Sequence, residues 1–198
     1  MNFQSLLFLA HIQAVLIPIF LGIKSRKKFK QIKSPNLLPY AFSFLGLASM
    51  FEMIDHTATN WIYVDHSSIF NWLFYSFLSC GLSFFTISVS KNKLMIATNI
   101  LLIITSIFSY WVFGKSTCLL FQVLISILLI SQWWDRFKDW IFMIYPITGV
   151  FFTTFFGILL SNTSDQLWHL AIGPSGTISV LTFYTVLKGS NKRETIST

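Results

Sequence analysis

Charge is what this sequence has least of. Acidic and basic side chains make up 11% of its 198 residues, less than half the roughly 25% of a soluble domain. Cysteine is scarce too. Cys80 and Cys118 stand without a zinc spacing, so they suggest neither a disulfide framework nor a structural metal. No glycine-rich phosphate loop and no G-x-S-x-G are present, and the Gly173-Pro174-Ser175-Gly176 stretch does not match the latter spacing. A retinal-binding lysine deep in the last apolar segment is missing, because Lys188 falls at that segment's end. No internal repeat is evident, which weakens an inverted-repeat transporter reading. The alternating short strands of a membrane barrel are absent as well.

What fills the chain is long uncharged runs, at 1–23, 34–51, 67–90, 94–114, 116–134, 140–164 and 166–187. A helix needs about 20 mainly apolar residues to cross the hydrocarbon core, and helices satisfy their own backbone in lipid one segment at a time. The sequence therefore predicts an all-α, polytopic membrane protein, a seven-transmembrane-helix bundle forming one domain over 1–198. Its helices are expected at about 2–23, 37–56, 68–90, 94–113, 117–134, 140–160 and 166–187. The first run is no signal peptide, since its basic cluster (Lys24 to Lys33) follows the apolar stretch rather than preceding it. Placing that cluster in the cytoplasm puts every basic residue but Lys115 on the same side. The positive-inside rule then predicts the N-terminus outside and the C-terminus cytoplasmic. The net charge of +7 is thereby an orientation signal, and no nucleic-acid partner is needed to explain it. Which membrane holds the chain is not encoded.

Prolines 18 and 146 and the 173–176 stretch sit inside predicted helices one, six and seven. They fit tolerated kinks between packed helices, or a widened cavity beside helix seven. The tryptophans mostly fall near predicted helix ends, where an aromatic belt accounts for them.

The acids and histidines are distributed unevenly. Glu194 and the Asp135/Asp139 pair lie among basic loop residues, whereas Glu52, Asp55, Asp65 and Asp165 all fall at the predicted outer ends of helices two, three and seven. His56, His66 and His169 occupy the same layer. Glu52 and His56 are four residues apart, on one helix face about 6 Å along its axis. Asp165 and His169 repeat that spacing. Two such pairs on different helices can converge on one ion, since catalytic zinc takes three protein ligands and keeps a position for water. Asp55, Asp65 and His66 also fit ordinary loop residues at a wet interface. Glu52 and His169 lie deeper, where a charge needs a partner, a proton or a water-filled cavity. His11, near mid-depth in helix one, fits either a further ligand or a neutral histidine bonded to a neighbouring helix.

Glu52-Met53-Ile54-Asp55-His56 and Asp165-Gln166-Leu167-Trp168-His169, on seven helices with the N-terminus outside, resemble the superfamily of seven-helix membrane hydrolases known as CREST. It includes alkaline ceramidases, the progestin/adiponectin receptors and Per1-type lipid remodelling proteins. That family carries serine-x-x-x-histidine on helix two, an aspartate near helix three and histidine-x-x-x-histidine on helix seven. Here glutamate replaces the serine and aspartate the first histidine of helix seven, while Asp65 or Asn71 matches the aspartate.

The resemblance implies a metal-dependent, ceramidase-like hydrolase cleaving an amide or ester bond of a membrane lipid on the exoplasmic side. His56, Asp165 and His169 would hold the metal. Glu52 would activate water, and Asp65 or His66 would orient a ligand or bind the head group. Asp55, Asn71 and His11 are accessory candidates. Zinc is the expected ion, and two histidines with a carboxylate suit non-haem iron as well. The rival reading is a non-enzymatic receptor or proton-linked carrier, with the same residues as a polar network in the outer half. A carrier calls for polar groups at several depths, and the predicted inner halves are apolar apart from scattered Ser, Thr, Asn99 and Gln122.

Overall fold

The computed structural model describes residues 3–26, 29, 32, 34–58, 68–143, 147 and 165–197. Six long helices are found among them: α1 (Phe3–Ser25), α2 (Leu38–Ala58), α3 (Ile69–Val89), α4 (Lys93–Phe113), α5 (Lys115–Phe137) and α6 (Asp165–Ser197). Short 3-10 turns cover Pro35–Leu37 and Trp140–Met143. The helix expected at 140–160 lies outside the described residues apart from that second turn and Ile147. α2 reaches two residues beyond the predicted end, so His56 is helical, and α6 runs ten residues past 187.

Local chemistry sets the ends. Ser68 caps α3, its hydroxyl accepting from the Asn71 amide at 2.9 Å, and the Asn92 side chain does the same for α4 at Leu94. Gly114 alone separates α4 from α5. Its φ of 83° is a conformation open to glycine and strained for other residues, which permits so tight a reversal.

The surface is apolar and much of the interior polar. Phe108 and Phe113 are 69% and 72% exposed, while Ser79, Ser83, Asn99 and Ser106 are essentially fully buried. In water this would squander burial of the large apolar groups. In lipid, small polar residues belong at helix contacts and hydrocarbon faces outward. α1, α2, α3, α4 and α5 are each long and apolar enough to cross a bilayer. The chain is an integral, multi-pass, all-helical membrane protein, as its composition predicts.

α1 packs between α6 and α2, α2 between α1 and α3, and α3 carries α4 and α5, which also pack on each other. Close crossings depend on small residues. A Cβ on Gly46 would meet the Val15 carbonyl oxygen at 2.8 Å, so α1 and α2 touch backbone to backbone there. Ser79 and Ser106 hydroxyls bond at 3.0 Å between α3 and α4.

At the end of the bundle opposite the start of α1, α2, α3, α5 and α6 meet in an aromatic layer. Phe183 lies 4.6 Å from Phe85 and 4.4 Å from Trp133 between ring centroids. Phe42 joins at 4.9 Å from Phe85. All four are fully buried, with Leu38, Val89 and Leu187 beside them. Edge-to-face rings of this kind fill space tightly, so they close the middle of this end among the described residues.

Candidate functional site

The other half carries the titratable groups. His11 projects from the middle of α1, Glu52 and His56 from the last two turns of α2, and His169 from the second turn of α6. His11 and His169 are each 1% exposed, while Glu52 and His56 are half-buried. Ligand atoms of His11, Glu52 and His169 all lie within 4.8 Å of one another. The His56 ring sits 3.9 Å from that of His169, which is 5.6 Å from the His11 ring. Three helices thus deliver three imidazoles and a carboxylate to one place.

The backbone explains why they meet. Glu52 and His56 share a face of α2 through their spacing of four. α6 approaches α1 closely because residue 173 is glycine: a Cβ there would stand 2.6 Å from the Ala10 carbonyl oxygen. Gly173 is one turn beyond His169, and Ala10 precedes His11, so the tightest crossing adjoins the cluster. Pro174 follows within α6. It has no N–H to give the carbonyl four residues back, and Ser175 donates its hydroxyl to the neighbouring Ala171 carbonyl at 2.7 Å. Such back-bonding bends helices.

One tautomer follows from geometry. His11 Nδ1 lies 3.0 Å from the Leu7 carbonyl oxygen. A carbonyl only accepts, so Nδ1 carries the hydrogen, and in the neutral ring Nε2 bears the lone pair. A backbone carbonyl orienting the far nitrogen is the usual support of a metal-binding histidine. Glu52 brings a carboxyl group into a low-dielectric setting, where an uncompensated ion costs several kcal/mol. The donor set of two histidines and one carboxylate fits zinc, and it fits iron equally.

Of the remaining predicted site residues, Asp55 and Asn71 are placed elsewhere. Asp55 is buried, and its carboxylate accepts from Ser68 Oγ at 2.6 Å. Asn71 accepts from Tyr110 Oη at 2.9 Å. Asp55, Ser68, Asn71 and Tyr110 thereby tie the ends of α2, α3 and α4 together. Asp65 and His66 lie outside the described residues, and so does the side chain of Asp165. Ser68 and Tyr110 were not singled out from sequence. The signal for Ser68 was present, as a serine directly before an apolar helical run with asparagine three residues on.

A family model described as seven transmembrane receptor (7TM_cyano) matches residues 3–193. No curated protein and no solved structure matches the chain.

Proposed function

The chain belongs to the seven transmembrane receptor family, and we propose on that premise that it is a membrane receptor which receives its signal at the His11–Glu52–His56–His169 cluster. The observation that carries this reading is the course of α6. One continuous helix holds His169 in the cluster and Phe183 and Leu187 in the aromatic layer, about 21 Å further along. A change in how the cluster is held would reach that layer along the same helix, through the turn that holds Pro174. With the N-terminus outside, as the basic loops favour, the cluster faces the exoplasmic half and the aromatic layer the cytoplasmic half. A proton-linked carrier fits less well. Among the described residues, the buried ring layer of Phe42, Phe85, Trp133 and Phe183 carries no titratable group for a proton path.

The test uses spin labels at Lys93 and Lys188, exposed at the aromatic end, in a chain whose two cysteines are replaced. His169→Ala is expected to shift the inter-label distance distribution. An unchanged distribution, in a protein that remains folded, refutes coupling between the two ends.

A second reading has one specific support, the convergence of two histidines and a carboxylate. It is the lipid amide or ester hydrolase implied by the CREST resemblance. A zinc or iron ion would there supply Lewis acidity and an activated water, held by His56, His169 and Asp165, with Glu52 accepting a proton. The family match favours the receptor over this reading. Lipid turnover by reconstituted protein, lost in His56→Ala and His169→Ala, would reverse that preference.

A further inference from the structure

We infer that the ligand of this cluster is a divalent transition-metal ion held by His11, Glu52 and His169, clamping α6 to α1 and α2. The inference deepens the receptor reading and rests on it, since it names the chemistry of the signal. It also names a donor set that the CREST resemblance lacks, because α1 contributes a ligand.

Three observations lead here. Atoms of the three side chains already lie within 4.8 Å of one another. Ligands in a tetrahedral zinc site stand about 3.3 Å apart, given bonds of about 2.0–2.1 Å, so the atoms need approach by no more than about 1.5 Å. Second, the Leu7 carbonyl fixes His11 Nδ1 as a donor, which turns the lone pair of a neutral ring to Nε2 and leaves it an acceptor. A carboxylate is an acceptor too. Beside a lone pair of His169, these two acceptors would let one divalent ion take a ligand atom from each of the three side chains. Third, each donor stands on a different membrane helix, and two of the three are almost fully buried. Soft and borderline ions with imidazole affinity suit the site; calcium and magnesium, which take oxygen ligands, do not.

His56 plays a different part. Its ring rests 3.9 Å from that of His169 and positions it, as an outer group does around a metal site.

The test is metal stoichiometry and affinity in the full-length chain purified in detergent. Zinc is measured by elemental mass spectrometry, and its dissociation constant by competition with a chromophoric chelator. Cobalt substitution reports coordination geometry through visible absorption. About one zinc per chain is expected, with tetrahedral cobalt bands. His11→Ala, Glu52→Gln and His169→Ala should each weaken binding at least about 100-fold, His56→Ala about 10–100-fold as an outer-shell change does, and Asp165→Asn hardly at all. Glu52→Gln is nearly isosteric, so it separates loss of a ligand from loss of the fold.

Absence of zinc from folded wild-type protein overturns the inference. So does binding that survives His11→Ala and disappears in Asp165→Asn. The outcomes also separate the two readings. No metal with the spin-label coupling intact removes the ion and keeps the receptor. One metal per chain with lipid turnover keeps the ion and removes the receptor.

Discussion

Replacing Gly173 by alanine should loosen the α1–α6 crossing that assembles the cluster. The added Cβ would lie 2.6 Å from the Ala10 carbonyl oxygen and 3.2 Å from its carbon, where ordinary contact begins at 3.4 Å. The shortfall is 3.4 − 2.6 = 0.8 Å against backbone atoms, which cannot rotate aside, so α6 must back away from α1. Overpacking of this kind costs about 1–3 kcal/mol. Alanine also favours the helix over glycine by about 1 kcal/mol, which would mask part of the loss. Gly176 supplies the control, because a Cβ there meets nothing within 4 Å. Gly176→Ala gains the propensity without the clash, so the difference between the variants isolates the packing term. At about 2–4 °C per kcal/mol for a chain of this size, Gly173→Ala should melt about 2–12 °C below Gly176→Ala. Thermal unfolding in detergent, followed by circular dichroism or by tryptophan fluorescence, reads the gap directly. Equal melting temperatures, or a higher one for Gly173→Ala, would refute the close crossing.

Further outcomes follow from other contacts. Ser68→Ala removes the cap of α3 and a hydrogen bond to a carboxylate, and should destabilise by about 2–4 kcal/mol; Ser68→Thr should recover most of this in the same melt. Phe183→Ala empties the centre of the aromatic layer and should cost about 3–5 kcal/mol, measured by unfolding in mixed micelles. Leu101→Asp on the lipid-facing side of α4 should oppose insertion by about 2.5–3.5 kcal/mol. A glycosylation-mapping assay tests that, and indifference to the charge would place this face in water.

The membrane architecture was legible because lipid demands long uncharged runs, and few sequences imitate that signal. The pairing of Glu52 with His56 was legible for a similar reason, as a spacing of four puts both on one face of α2. Partnerships between helices were not. Nothing in the order of residues says that α1 lies against α6, so His11 could be read only as a ligand or a satisfied neighbour, and the structure sets it beside His169. Asp55 read as either a loop acid or an accessory site residue, and it is buried beside the α3 cap, where Ser68, thirteen positions on, meets it. The far end of α6 was underestimated for a different reason. Lys188 marks where the apolar run stops, and a helix need not stop where the bilayer does.

That overhang has a mechanical consequence. Gly173 presses on Ala10 and acts as a fulcrum, with His169 on a short arm of about 6 Å and the last turn of α6 at Ser197 on a long arm of about 36 Å. The ratio is about six. Where α6 turns as one body through Pro174, a settling of His169 by about 0.5 Å would sweep the tip through about 3 Å. On the receptor reading, a partner at that end would need no access to the cluster, only contact with the end of the lever.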